Sequence, residues 1–323
     1  MRVTIGSGLA CLGLLVAAAV GERAATRPAS RPAQPPPAKE QVEAAKKAGL
    51  QPVIEVDLGK GQTMRLVLIP AGTFRMGSPP DERGHQDYER QHQVTLTKPF
   101  YLGVTEVTQA QWEAVTGDRP WKKGEHVKAD PGDAANYVPW DDCPGFFKKL
   151  NARVPGGGFR LPTEAEWERA CRAGTTTRYS FGEDKDGAQI GDFAWYKVNT
   201  LDAGVRHPRA VALKKPNPWG LYDMHGNVFE WCADYWGDYP AGAVTDPVCN
   251  RKSLYRVIRG GSWAAVPEHC RSAARGGLQT WFHNNFIFHQ MGLRCARTAK
   301  PLPTTRPTAP PKDFGSFPEL PKS

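Results

Sequence analysis

The residues of this 323-residue chain best equipped for chemistry are its seven cysteines. Cys11 falls in an apolar N-terminal run, which leaves Cys143, Cys171, Cys232, Cys249, Cys270 and Cys295 in the body. Thiolates hold soft metal ions, and in an oxidising compartment thiols pair into bridges. No two of the six form Cys-x-x-Cys, and no cysteine–histidine spacing suits a structural zinc centre, so zinc–thiolate chemistry is not expected. An even number in an exported chain reads most simply as up to three disulfides, with 15 full pairings open. His225, His269, His283 and His289 are the other metal-ligand types, yet no two stand at His-x-His or His-x-x-x-His spacing. They read as loop and cleft residues with satisfied ring nitrogens.

Helices and short strands must position these groups. Alternating apolar residues predict strands at Ile54–Leu58, Met64–Ile69, Gln93–Thr97 and Phe100–Leu102, and two more at Tyr255–Arg259 and Gly292–Arg297. Lys39–Gly49 can form a short helix. Thr108 is an N-cap for a helix ending at Gly117, and a further helix is expected from Asp141 to about Leu150. The clearest helix runs over Pro162–Gly174, where Thr163 and Glu166 make a capping box and Gly174 is the natural stop. Beyond Gly174 the abundance of Gly, Asn, Asp, Pro and Trp predicts irregular, loop-dominated structure.

The formal net charge of +9 invites a nucleic-acid reading. Its location excludes that reading. Residues 1–38 and 298–323 contribute +5 of it and hold 12 of the 29 prolines, whereas all ten tryptophans lie between Trp112 and Trp281. A nearly neutral, tryptophan-rich body with no nucleic-acid partner is the result. Arg2, the uncharged stretch to Gly21, and Glu22 beyond it read as a signal peptide over residues 1–21, with a retained membrane anchor as the rival. Export to a periplasm or the extracellular space follows. Residues 22–49 are then a Pro/Ala linker with a short helix, 50–297 the domain, and 298–323 a Pro-rich disordered tail.

Six segments in order carry a resemblance. They are Val67-Leu-Ile-Pro-Ala-Gly-Thr-Phe-Arg-Met-Gly-Ser78, Thr105-Glu-Val-Thr-Gln109, Arg160-Leu-Pro-Thr-Glu-Ala-Glu-Trp167, Gly220-Leu-Tyr-Asp-Met-His-Gly-Asn-Val-Phe-Glu-Trp231, Arg259-Gly-Gly-Ser-Trp263 and Gly292-Leu-Arg294. Together they resemble the formylglycine-generating enzyme, or sulfatase-modifying factor, domain. The resemblance implies one compact α+β domain of the C-type-lectin-like kind, low in regular secondary structure. It also implies a chemistry: two cysteines after the Gly-Gly-Ser segment bind copper(I) and, with oxygen, convert a sulfatase cysteine to formylglycine. Ungapped placement of Gly260–Cys270 puts Ala265 on the first copper position and Cys270 on the second, with Ser262 as the matching serine. The pair is broken.

The resemblance further implies bridges Cys171–Cys270 and Cys143–Cys295, which leaves Cys232–Cys249. Asp223, Gly226, Val228 and Glu230 match calcium-binding positions of the family, since Ca2+ gathers six to eight oxygens. Alternatively Asp223, Asn227 and Glu230 only hydrogen-bond loop backbone. Trp263, Arg271, Arg275 and Asn284, with Trp236 and Trp281, fall around the family's substrate cleft, where aromatics and arginines anchor ligands; equally, the tryptophans are core. The expected function is a binding module for a peptide, a sulfatase or a surface glycan. The alternative is a copper oxidase that uses Cys270. A membrane is a partner only if the N-terminal segment is retained.

Overall fold

A computed structural model describes residues 33–280 and 287–301. The expected signal segment 1–21, the proline-rich start of the linker and residues 302–323 of the tail lie outside the described residues, as do Trp281, His283, Asn284 and Asn285. Helices in chain order are α1 (Lys39–Ala48), α2 (Gln109–Thr116), α3 (Cys143–Arg153), α4 (Glu164–Arg172) and the single turn α5 (Ile190–Phe193). The first six strands are β1 (Val53–Gly59), β2 (Gln62–Ile69), β3 (Gly72–Met76), β4 (His92–Leu96), β5 (Phe100–Gly103) and β6 (Phe159–Arg160). The rest are β7 (Phe229–Tyr235), β8 (Val244–Thr245), β9 (Tyr255–Arg259), β10 (Arg275–Gln279), β11 (Met291–Gly292) and β12 (Ala296–Thr298).

They form three sheets, ordered β1-β2-β5-β12-β6, β10-β9-β7-β11 and β3-β4-β8. Pairing is antiparallel except at β7–β11 and β4–β8. The larger core lies between the first sheet and helices α2 and α3, where Trp112 stacks on Phe146 with centroids 4.9 Å apart. A second core gathers α4 with β3, β4 and β7, around Trp167 and Cys232. The mixed α and β character and the length of loop agree with the expected class. No helix among the described residues is long and apolar enough to cross a membrane.

Local chemistry explains the helices. Thr108 and Thr163 each accept a hydrogen bond from the backbone N–H three residues on, and Gln111 and Glu166 reach back to the cap N–H groups. At the end of α4 the left-handed position falls on Ala173, φ 46°, one residue before the expected glycine stop. Helix α1 corrects the expected boundary at residue 50. The Gln41 amide is buried and donates to Leu68 O at 2.9 Å, and Trp219 Nε1 donates to Glu40 Oε1 at 2.6 Å, so the helix belongs to the domain. The expected strand Gly292–Arg297 is also corrected: it splits into β11 and β12, which serve different sheets. Strands β7 and β10 arise inside the stretch read as irregular.

The loop carrying Asp133 stores a pH-dependent liability. Asp133 is 4% exposed, its Oδ2 stands 3.9 Å from His207 Nδ1, and burial, then the like charge of Asp130, push its carboxyl up to about 7. A carboxyl raised on folding contributes full stability below the unfolded value and loses it as pH rises through the folded one. The unfolding free energy should therefore fall between about pH 4 and pH 7, and Asp133→Asn should flatten part of that slope. Urea titrations across this range check it; parallel slopes for both proteins would refute it.

Candidate functional site

The site is built on the turn after β9. Gly260 and Gly261 hold φ of 94° and 78°, left-handed values that an L side chain adopts only with strain. At Gly261 a Cβ would also press on Cys270 Sγ and the His269 carbonyl. The turn aims Ser262 inward, where its hydroxyl donates to Gln290 Oε1. Trp263 N–H donates to Asn227 O at 2.7 Å, and the Trp263 carbonyl accepts from the Thr200 hydroxyl. Around the fully buried Trp263 ring stand His289, centroids 5.3 Å apart, and His126 at 6.0 Å; the two imidazoles are 4.5 Å apart. Burial, then the charge of His126, lowers His289 to about 4, so it is neutral at physiological pH.

Ala265 and Cys270 sit in one small apolar cluster with Tyr179, Ile190, Ala194 and Tyr196. Across from the Cys270 backbone lies His225. Ser180 N–H donates to its Nε2 at 3.2 Å, which makes Nε2 an acceptor, so Nδ1 carries the proton and donates to Cys270 O at 2.8 Å. Burial lowers His225 to about 4, consistent with that single neutral tautomer. Cys171 Sγ lies 3.9 Å from both ring nitrogens. Burial pushes the Cys171 and Cys270 thiols up to about 12, which keeps both protonated and poorly nucleophilic near neutral pH.

All six body cysteines are free thiols in the structure, so none of the three expected bridges is drawn. The environments differ, however. Cys143 and Cys295 share the larger core, Cys171 lies in the second, and Cys270 lies in the cluster with Ala265. Cys232 points into the second core, whereas Cys249 is half-buried beside Gly237.

The expected calcium loop is occupied by protein donors. Asp223 Oδ2 accepts from Ala212 N–H at 2.7 Å, and Asn227 Oδ1 from Arg209 N–H at 2.8 Å. Glu230 is the decisive residue: Arg294 donates to its Oε1 at 2.6 Å and Trp167 Nε1 to its Oε2 at 2.7 Å. Behind it, Glu106 accepts from Asn227 Nδ2 and Val228 N–H, and burial, then the charges of Asp223 and Glu230, push its carboxyl well above the ordinary range. These side-chain oxygens are thus engaged within the protein, while calcium at Asp223, Gly226, Val228 and Glu230 rests on the resemblance alone. Among the described residues no group of three or more His, Cys, Asp or Glu could hold a metal ion. Gly226 has a steric duty, because a Cβ there would collide with the Trp195 carbonyl. Gly226→Ala should cost about 1–3 kcal/mol, the range for overpacking, read as a lowered urea midpoint at unchanged slope. A loss within about 0.5 kcal/mol, the scatter of ordinary surface changes, would contradict it.

The model of the sulfatase-modifying factor enzyme 1-like domain matches residues 53–299. The chain belongs to that family. Formylglycine-generating enzyme of Bos taurus is 30% identical over 291 residues, covering 75% of this chain and 76% of the enzyme. Serine/threonine-protein kinase pkn1 of Chlamydia pneumoniae is 30% identical over 261 residues, 72% of this chain. The match takes in only 38% of the kinase, so this chain corresponds to well under half of that relative's length. The solved structure of PvdO from Pseudomonas aeruginosa superposes with a TM-score of 0.65 at 28% identity, over 77% of this chain and 99% of that one. The fold is that of formylglycine-generating enzyme, the C-type-lectin-like architecture.

Within the family frame, two expected cleft residues need correction. Arg271 donates to Glu82 and to both oxygens of Glu89, and Arg275 forms a paired contact with both oxygens of Glu164 at 2.7 and 2.8 Å. Both guanidiniums are buried and committed to carboxylates, so neither is presented to a ligand. Trp263 is core, Trp236 is half-buried against Tyr88, and Asn284 lies outside the described residues. Sequence reasoning missed Glu106 and His126. Glu106 stood in the Thr105–Gln109 segment, where a lone acid two residues after Val104 and next to Val107 was the available signal. His126 carries no spacing signal, because its partners His289 and Trp263 are distant in sequence.

Proposed function

We propose that this family member is an exported binding module for a peptide, a sulfatase or a surface glycan, and that it has lost the oxidase chemistry. What carries the reading is Ala265. It contributes a methyl group to the cluster around Cys270, where the resemblance calls for a second thiolate. One thiol and one methyl cannot give copper(I) the two-sulfur coordination it favours, and the hydroxyl of Ser262 is a hard ligand already engaged with Gln290. Copper therefore does not fit the residues present. The Cys171–Cys270 and Cys143–Cys295 pairs are read as bridges in the exported protein, on the resemblance and on the burial of all four sulfurs.

The test pairs a thiol count with an activity assay on the exported protein. Unreduced denatured protein should show no titratable thiol, and incubation with copper(I), oxygen and a cysteine-containing sulfatase peptide should give no formylglycine by mass spectrometry. Formylglycine formation by the wild-type chain would establish the oxidase and end the binding-module reading.

A further inference from the structure

A groove of about 600 Å3, lined by none of the Gly-Gly-Ser residues, opens beside β5, β6 and the start of α3. Phe100, Trp140, Phe147 and Phe159 line it with Pro99 and Pro144. Three of its charged wall residues are engaged: Arg160 forms a two-point contact with Glu166 at 2.6 and 2.7 Å, and Asp246 accepts from Thr97 N–H at 2.8 Å, whereas Lys98 is exposed. Beside Lys98, what remains open to an occupant is aromatic and proline surface, with Val248, 41% exposed, on the wall. Such surfaces accept polyproline II segments, whose fixed φ lowers the entropy lost on docking.

We propose that the occupant is this chain's own segment 312–322. Thr298, in the last strand, is itself part of the groove wall, and the described chain ends only three residues later, at Pro301. The sequence that follows contains Phe314-Gly-Ser-Phe317-Pro-Glu-Leu320, with six prolines between residues 302 and 323. Large apolar residues recur there every third position. A polyproline II helix has three residues per turn, so Phe314, Phe317 and Leu320 would share one face, about 9 Å apart. The 13 residues from Pro301 to Phe314 can span up to about 40 Å, enough to leave the rim and double back. Tethering supplies an effective concentration of about millimolar, so even a weak site is filled from within before a free peptide fills it.

Hydrogen exchange on the full-length protein, compared with full-length Phe314→Ser/Phe317→Ser/Leu320→Ser, tests this. Amides of 314–322 and of the wall around Phe147 should exchange about tenfold or more slowly in the wild type. The three substitutions lie outside the described residues, and a retained far-ultraviolet circular dichroism spectrum verifies the fold of the variant. A benzophenone amino acid replacing Val248 identifies the occupant on irradiation, with photoproducts expected between position 248 and segment 312–322 of the same molecule. Equal exchange in the two proteins, or photoproducts that join two copies or other segments, overturns the assignment.

Discussion

Arg259→Met should destabilise the domain by about 3–5 kcal/mol, the loss typical when one partner of a buried ion pair is removed. Arg259 is 1% exposed and reaches four acceptors: Glu168 Oε2 and the carbonyls of Ser272, Ala273 and Ala274. It thereby fastens the connection into β10, while Glu168 on α4 also accepts from Gly77 N–H at 2.8 Å and Arg172 at 2.9 Å. Methionine fills much of the volume but leaves three carbonyls and half a carboxylate without donors. Burial alone would raise the Glu168 carboxyl; Arg172 and Arg259 overcome it and hold the group below its ordinary value. A depressed carboxylate contributes stability above its unfolded value and loses it as pH falls through the folded one. The variant should therefore show a smaller loss of stability on acidification than the wild type, in addition to its lower urea midpoint. Arg259→Lys should rescue little, because one ammonium cannot span the carboxylate and the three carbonyls. A midpoint change worth under about 1 kcal/mol, the average for point mutants, would refute the argument.

This network also marks where sequence reading stops. The regular parts were legible because their signals are local. The capping box of Thr163 and Glu166 lies within four residues of sequence, and β1 and β4 alternate with one face buried, whereas β5 and the second half of β2 are apolar runs buried on both faces. Strand β7 reads Phe-Glu-Trp-Cys-Ala-Asp-Tyr, with acids at two positions that burial assigns to the interior. Period-two logic sends Glu230 and Asp234 outward; in fact Glu230 meets Arg294 and Asp234 accepts from the N–H groups of Glu164 and Cys249. The partners of Arg271 are Glu82 and Glu89, more than 180 residues earlier, so nothing local distinguishes a buried structural arginine from a ligand anchor. The candidate site divides the same way. The order of the six segments located the Gly-Gly-Ser turn, Ala265 and Cys270, whereas the His126–Trp263–His289 cluster needs a tertiary fold before it exists.

Ala265→Cys should restore tight copper(I) binding, an effect larger than the roughly 10- to 100-fold that an outer partner of a metal ligand contributes. The side chain at 265 is 5% exposed and shares its cluster with Cys270, so the substitution adds one sulfur where the present structure has a methyl group. Two thiolates are the soft set this ion prefers, and Ala265→Ser, which adds a hard oxygen of similar size, should bring no gain. Burial holds the Cys270 thiol up to about 12, so binding must displace protons and should strengthen as pH rises from about 6 to 9. Reducing, anaerobic conditions are required, both to free Cys270 from its bridge to Cys171 and to keep it from pairing with the new thiol. Competition against a coloured copper(I) chelator reads the result: the wild type and Ala265→Ser surrender the ion, and Ala265→Cys retains it. If the wild type retains copper as firmly as Ala265→Cys, the second thiolate comes from elsewhere, with Cys171 beside His225 the first candidate, and the binding-module reading loses its support.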